Sequence, residues 1–378
     1  MQAKTLGTFI AGIGIRLITG IPDSTLQEFC AFLDEEGREL FDRHIVPANE
    51  GAAVGIAVGE YLSTASPACV YMQNSGLGNI VNPVTSLAND QVYGIPMLLL
   101  IGWRGEPGVH DEPQHRFMGG ITLGMLEVMG ISYDVVGPST PERELPDIAR
   151  RINKAFAERK QYALIIKKGT FDRVYEPDYH NDNVLVREDV IRSITDWMDP
   201  GDIVIATTGK ISRELYESLD KSRGSHEQAF FCVGGMGHAN MIAYQMAVRN
   251  PDKRVICLDG DGALLMHMGS LAMIGSNPVG NLIHICLDNE AHESVGGMYT
   301  GARGTSYDAV ARACGYLNTW CVSTKGQLES VLKEMDRVKR LSFILVKTAI
   351  SSRKDLIRPR ETTEENRLRF MKYHGGLQ

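Results

Sequence analysis

The stretch RVICLDGDGALLMHMG, residues 254–269, runs from an apolar strand pattern through Asp259-Gly260-Asp261-Gly262 into apolar positions at helical spacing. Two carboxylates where a buried strand gives way to a helix carry a desolvation cost, so the pattern predicts that they hold something. Asp-Gly alone is a common turn dipeptide, and only its surroundings give this one weight. The next apolar run, LIHICLDNEAH (282–292), ends in Asp288-Asn289, and the 25 residues 263–287 between the motifs leave room for one helix and one strand. In a parallel sheet both strand ends open on the same edge, where ligands of α/β proteins bind. Asp261, the Asn289 side-chain oxygen and a backbone carbonyl just beyond it form part of an octahedral all-oxygen set. Mg²⁺ favours such a set, with phosphate oxygens completing the shell. A helix beginning near Ala263 turns its free N–H groups to the same place, which suits an anion.

The same alternation extends along the chain. Strand-like runs occur at 16–21, 67–72, 96–102 and 162–168, then at 202–207, 229–234, 254–259, 282–288 and 342–347. Amphipathic segments such as 144–160 and 327–340 lie between them. Continuous apolar strands alternating with helices predict parallel sheets covered on both faces, an α/β fold. The polar stretch FDRVYEPDYHNDNV (171–184) breaks the rhythm. It predicts a linker between two domains of similar size, 1–170 and 185–378.

A net charge of −7 and the lack of a Lys/Arg block argue against nucleic acid as a partner. The longest apolar runs, such as IPMLLLIGW (95–103), are strand length and exclude a membrane span. The N-terminus has no signal-peptide pattern. Seven scattered cysteines without a CxxC pair read as reduced core residues of a cytoplasmic protein. One competing motif needs weighing. AFFCVGGMGHANMIAYQMA followed by RVICLD nearly matches the dinucleotide-binding fingerprint, with Asp259 as ribose ligand. Against it, the third glycine position is Asn240, and Asp259 leads straight into Gly-Asp-Gly.

Gly-Asp-Gly followed by some 25 residues and an Asn pair is similar to the magnesium–diphosphate signature of thiamine diphosphate enzymes. Here Asp288 replaces the first Asn. The resemblance implies that Asp261, Asn289 and the Ala291 carbonyl hold Mg²⁺. It implies that Gly260, Gly262, Ala263, His292 and the Thr208-Gly209 turn line the diphosphate. Gly235-Met236-Gly237 would pass beneath the cofactor, with Met236 propping it in a bent shape. IVPANEGAAVGIAVGEYL (45–62) resembles the segment whose carboxylate tautomerises the cofactor's aminopyrimidine, which makes Glu50 catalytic. VYMQNSGLGNIVNPVTSLANDQVYGIPMLLLIG (70–102) resembles the pyrimidine-binding domain of the same enzymes. A pyrimidine-binding first half and a diphosphate-binding second half follow, with no room for the third domain of larger members.

GIPDS (20–24), MQNSGLGN (72–79), LIGWRGEPGVHDEPQH (100–115), ATTGKISREL (206–215) and AHESVGG (291–297) resemble the phosphonopyruvate decarboxylase family, with sulfopyruvate decarboxylases nearest by chemistry. That resemblance implies a small anionic 2-oxo acid substrate and a homodimer or higher assembly with active sites at subunit interfaces. Its acid/base candidates are His115, Asp23 and His292. The candidates for the anionic tail are Arg104, Ser24 and Ser75, although Arg104 could instead pair with Glu106 or Glu112. A dinucleotide oxidoreductase and a non-catalytic thiamine-fold protein are the other readings; Glu50 speaks against the second.

Overall fold

The structure, a computed structural model, describes residues 1–376. Two units divide the chain: Met1–Asp178 with Val295–Gly301, and Tyr179–Ser294 with the chain from Ala302 onward. The first contains β1 (Leu17–Gly20), β2 (Arg43–Ile45), β3 (Ala68–Gln73), β4 (Met97–Gly102), β5 (Ser132–Val136) and β6 (Tyr162–Ile166). The second contains β7 (Ile203–Ala206), β8 (Ala229–Phe231), β9 (Val255–Gly260), β10 (Leu282–Asp288), β11 (Asn318–Val322) and β12 (Ser342–Lys347). Each set forms one six-stranded sheet, and every pairing is parallel. The orders are β2-β1-β3-β4-β6-β5 and β8-β7-β9-β10-β12-β11. Counted from its own first strand, each half therefore has the same topology.

All nine expected strands form, and the α/β fold class holds. Three more strands, β2, β5 and β11, carry mixed or polar patterns, and all three lie at a sheet edge or end an edge pair. An edge strand has one neighbour and a partly solvated surface, so its sequence lacks the apolar run that marks β4 or β10, buried along their whole length. In the second unit the two sheet faces have separate cores. Val204, Ile256, Ile285 and Ile344 pack with Ile191, Leu215 and Leu332 from helices Arg187–Trp197, Lys210–Arg223 and Lys325–Met335. Ile205, Cys257, Cys286 and Phe343 pack with Ala243, Ile274 and Ala311 on the other face.

The strand order also says where a ligand belongs. From β1 the chain steps outward to β2, then returns to the far side of β1 with β3; β7, β8 and β9 repeat the move. The loops leaving β1 and β3, and those leaving β7 and β9, therefore flank a crevice at a topological reversal. The polar stretch 171–184 is anchored at both ends. Phe171 stacks on Phe29 with ring centroids 6.4 Å apart, and the Val174 N–H donates to Glu28 at 3.0 Å. Farther on, Asn181 Nδ2 donates to the carbonyls of Asn289 (2.9 Å) and Thr348 (3.1 Å). Val295–Gly301 belongs with the first unit, where Gly296 lies against Gln27 and Gly301 against Val46.

The register of β10 on β12 explains Asp288, the departure from the Asn pair. Asp288 is the cross-strand partner of Lys347, whose Nζ lies 2.7 Å from Asp288 Oδ2 and 3.0 Å from Glu290 Oε1. Arg303 Nε completes the set at 3.1 Å from Glu290 Oε2. Two carboxylates thus face two cations, and the extra acid adds no net charge at the strand end. Breaking one partner of such a buried pair costs about 3–5 kcal/mol, whereas replacing both is nearly neutral. Lys347→Met should accordingly lower unfolding free energy by about that amount in chemical denaturation, and adding Asp288→Asn should recover most of the loss. A single variant as stable as wild type would show that Asp288 does not need its cation.

Candidate active site

In the second unit, four loops meet at the C-terminal edge of the sheet. Thr208 and Gly209 lie between β7 and the helix Lys210–Arg223. Gly235, Met236 and Gly237 follow β8; Met236 is half-buried. Gly260 ends β9, and Asp261 opens the short helix Asp261–Met266 with Gly262 and Ala263 in its first turn. Asn289, Ala291 and His292 follow β10. Close approaches hold these loops together. Gly237 has φ +91°, and a Cβ there would lie 2.7 Å from His267 Cδ2 and 3.0 Å from the Ala263 carbonyl oxygen. Only glycine lets the turn after β8 rest on the helix after β9. Gly260 in turn abuts Ile211, just beyond the Thr208-Gly209 turn.

Asp261 and Asn289 are each 4% exposed. Asn289 Oδ1 accepts from the Ala291 N–H at 3.1 Å, and Asn289 Nδ2 donates to Glu293 Oε2 at 3.1 Å. Between them Glu290 has φ +62°, a left-handed conformation unusual for a non-glycine residue. It is held there by its N–H to Asp288 Oδ1 (3.1 Å) and its ion pairs with Lys347 and Arg303. The Tyr307 hydroxyl is buried with no hydrogen-bond partner among the described residues, and Asp261 is among the charges that act on it. A carboxylate, an amide oxygen and a main-chain carbonyl at one sheet edge suit a hard divalent cation, and the unpartnered hydroxyl fits a further polar group there. His292 is partly exposed, and desolvation lowers its imidazole to about 4, so it is neutral near pH 7.

A second group of possible metal ligands, Cys257, Asp259 and His284, is fully buried behind this edge with ligand atoms within 4.8 Å of one another. The hydrogen bonds of its acid and imidazole are already made. His284 Nε2 faces Asp259 Oδ2 at 3.2 Å, the Tyr316 hydroxyl faces His284 Nδ1 at 3.2 Å, and the Gly260 N–H donates to Asp259 Oδ1 at 3.0 Å. Asp259 therefore stiffens the turn before Asp261. Enclosed in this way, it offers nothing to a ribose, and the dinucleotide reading lapses.

In the first unit, Glu50 opens the helix Glu50–Thr64, whose N-cap Asn49 accepts from the Ala52 N–H at 2.9 Å. Glu50 is 5% exposed. Its Oε2 accepts from Asn79 Nδ2 at 2.6 Å. A Cβ on Gly76 would come within 2.6 Å of Oε1, so a side chain there would displace the carboxylate. The carboxylate thus sits where the helix dipole favours negative charge, with Oε1 accepting from none of the described residues.

Asp23 lies in the loop that leaves β1 and is 1% exposed. Its Oδ2 accepts from the N–H groups of Thr25 (2.7 Å) and Leu26 (3.2 Å), while Oδ1 is buried with no hydrogen-bond partner among the described residues. Burial raises its carboxyl, against the opposing pull of the Thr25 N–H and the Arg104 guanidinium. Arg104 follows β4, and its guanidinium hydrogen bonds go to neither Glu106 nor Glu112, although the Glu112 charge acts on it. Its Nε and Nη2 fork grips Asp111 at 2.8 and 2.5 Å, and Nη1 donates to Ser24 Oγ at 2.8 Å. Glu106 pairs with Lys167 instead. Burial works against the Asp111 charge, but the Arg104 fork and the N–H groups of Glu112 and Gly105 hold its carboxyl well below the ordinary range. Asn74, buried at the end of β3, bonds both the N–H and the carbonyl of Arg104, at 3.1 and 2.9 Å. Ser75 is exposed and accepts from Gln73 Nε2 at 2.6 Å. His115 is half-buried in the first turn of helix Pro113–Val128. Asp23, Ser24 and Arg104 thus form one cluster, and Glu50 with Asn79 another. The sequence reading did not single out Asn74, Asn79, Asp111 or Glu293. All four lie within quoted motifs, Asn74 and Asn79 in MQNSGLGN, Asp111 in LIGWRGEPGVHDEPQH and Glu293 in AHESVGG, but nothing in the spacing names their partners.

Two family models match the chain. The thiamine pyrophosphate enzyme N-terminal domain matches residues 3–123, and the C-terminal domain of the same enzymes matches residues 207–346. A phosphonopyruvate decarboxylase of Streptomyces viridochromogenes is 31% identical over 97% of this chain and 94% of its own length. A phosphonopyruvate decarboxylase of Streptomyces hygroscopicus is 32% identical over 84% and 80%. A sulfopyruvate decarboxylase of Methanosarcina acetivorans is 29% identical over 88% and 87%. With thiamine-binding models on both halves and close to one-third identity across almost the whole length, the chain belongs to the thiamine pyrophosphate enzymes and, within them, to the phosphonopyruvate decarboxylase family.

Proposed function

We propose that the chain decarboxylates 3-phosphonopyruvate to phosphonoacetaldehyde and CO₂, a step of phosphonate biosynthesis, using thiamine diphosphate and Mg²⁺. The observation that carries the substrate is the likeness to two phosphonopyruvate decarboxylases over most of the chain. The sulfopyruvate decarboxylase, at 29%, supports the same chemistry on a sulfonate and is the second reading. Seven cysteines without a disulfide, five of them buried, favour a cytoplasmic protein. The working unit of this proposal is a homodimer or higher assembly.

Thiamine diphosphate, when bound, supplies the electron sink that lets the substrate carboxylate leave as CO₂. The chain's residues hold and orient. In this proposal Asp261, the Asn289 amide oxygen and the Ala291 carbonyl take Mg²⁺. Thr208, Gly209, Gly260, Gly262, Ala263 and His292 line the diphosphate, and Gly235-Met236-Gly237 supports the ring system. Glu50 Oε1 takes the aminopyrimidine, while Asn79 keeps the carboxylate turned. The bond that breaks joins the carboxyl carbon to the carbonyl carbon, and a proton must take the carboxylate's place. Asp23 suits that transfer, because burial keeps it protonated more readily than an ordinary carboxyl. His115 is the other donor within the proposal; the neutral His292 can serve only as a proton acceptor or a hydrogen-bonding group.

The tail meets a cation already partly engaged. Three of the five guanidinium N–H bonds of Arg104 go to Asp111 and Ser24. The phosphonate is therefore assigned to the remaining N–H groups, with the Ser24 hydroxyl on Arg104 Nη1 and the Ser75 hydroxyl proposed as a further donor. Asp111 fixes the plane of the guanidinium, so the phosphonate does not have to order it.

Asp261→Ala should abolish measurable Mg²⁺ binding and weaken thiamine diphosphate strongly in calorimetry, because the diphosphate charge is left uncompensated. Unchanged cofactor affinity would end the metal-site reading. Glu50→Gln should keep cofactor affinity and lose about 10²–10⁴-fold in kcat; a variant with wild-type turnover would leave Glu50 as a helix-start residue only. The order of kcat/KM should be phosphonopyruvate, then sulfopyruvate, then pyruvate. A site built for a polar tail rejects the analogue lacking it by about 10⁴-fold. Arg104→Ala should narrow that gap, and equal losses on all three substrates would assign Arg104 to the fold instead.

A further inference from the structure

Glu293, four residues past Asn289, is the hub of a charged network in the second unit that the function proposed above does not use. Its Oε2 accepts from Arg187 Nη1 at 2.6 Å and from Asn289 Nδ2 at 3.1 Å, and its Oε1 lies 3.2 Å from Lys210 Nζ. Arg187, buried, closes its other edge on Glu214 with two bonds of 2.8 and 2.7 Å. Lys210 also donates to Ser352 Oγ at 2.6 Å. Two cations thus balance two carboxylates. Networks of this kind are often only structural, but one branch of this one ends on the Asn289 amide.

An Asn amide has two ends of nearly equal size and opposite chemistry. The oxygen carries lone pairs for a hard cation; the nitrogen carries two N–H donors and repels one. A flipped Asn289 would fill the same space and ligate nothing. A carboxylate held between Arg187 and Lys210 is an acceptor only, so it can face the nitrogen end alone. We propose that Glu293 is a positioning residue for the divalent cation: its carboxylate fixes the rotamer of the Asn289 amide and so presents the oxygen as ligand. This rests on the reading of Asn289 as a metal ligand. Two further contacts clamp the same residue. Asn289 Oδ1 takes the Ala291 N–H at 3.1 Å, and the Asn289 main-chain carbonyl takes Asn181 Nδ2 at 2.9 Å. Through Lys210 the same carboxylate also reaches the helix that follows the Thr208-Gly209 turn.

The test is calorimetric titration of Mg²⁺ into the full-length protein at saturating thiamine diphosphate, with thermal unfolding of each variant measured alongside. Glu293→Ala should weaken Mg²⁺ about 10–100-fold, the usual effect of losing a partner that orients a metal ligand. Glu293→Gln can keep its carbonyl oxygen on Arg187 and Asn289, with its NH₂ in place of Oε1 beside Lys210 and that ion pair lost, so its Mg²⁺ affinity should fall clearly less than that of the alanine variant. Glu293→Met keeps the volume and serves the same comparison if the alanine variant does not fold. The sharpest arm uses Asn289→Asp, whose two oxygens are equivalent: in that background Glu293→Ala should bring no further loss. Lowered melting points with unchanged Mg²⁺ affinity, while Asn289→Ala does lose Mg²⁺, would overturn this inference and leave the network structural. Wild-type Mg²⁺ affinity in Asn289→Ala would instead overturn the metal-site reading beneath it.

Discussion

Gly260 on β9 pairs with Leu287 on β10, and the candidate metal site depends on that register. Asp261 is the next residue beyond the first partner, and Asn289 is two beyond the second. Parallel pairing then brings a carboxylate and an amide from distant parts of the chain to one sheet edge. A slip of one residue would turn every side chain of β10 to the opposite face and exchange its two cores. Such a slip is blocked from both sides, because Ile283, Ile285 and Leu287 belong to one buried cluster and Leu282 and Cys286 to the other.

Burying acids at that edge demands compensation, and four of them have specific partners around Asp261. Asp288 is matched by Lys347, Glu290 by Lys347 and Arg303, Glu293 by Arg187 and Lys210, and Asp259 by His284 and the Gly260 N–H. Pairing of this kind adds little to net stability, since desolvation offsets much of the Coulombic gain. Its effect is orientation. Side chains that carry a charge in a low-dielectric wall cannot relax into other rotamers without losing their counterion, so the side chains bonded to them are kept in one geometry.

The first unit shows the same economy on the same strand order. Its reversal point between β1 and β3 carries Asp23 and Ser24 on one loop and Asn74 and Ser75 on the other. Arg104, from the end of the neighbouring β4, is tied to Asn74 through both its main-chain groups. Its guanidinium is committed to Asp111, so the cluster is a braced cation and not a free one. Glu50 belongs to a separate cluster, on the helix that follows β2, with Asn79 and the absence of a side chain at Gly76 fixing where the carboxylate lies.

Much of this was legible in the residues alone. Apolar runs predicted the nine central or well-buried strands, because a strand covered on both faces has no polar positions to blur it. The Gly-Asp-Gly and Asp-Asn motifs, their 25-residue separation (263–287) and Glu50 at a helix start followed from local chemistry. What stayed hidden was pairing. Strands β2, β5 and β11 escape notice because partial solvation leaves them no distinct pattern. The partner of Arg104 could not be chosen among Glu106, Asp111 and Glu112 from spacing, since a loop of glycine and proline sets no fixed periodicity. Lys347 and Arg187 carry no local mark at all. They meet Asp288 and Glu293 across 59 and 106 residues of chain. Sequence by itself determined which residues have the chemistry to hold a metal, a diphosphate and a proton. Only the tertiary structure decided which charges neutralise one another and how each ligand is turned, because burial and counterions are properties of the packed sheet edge and not of any segment that builds it.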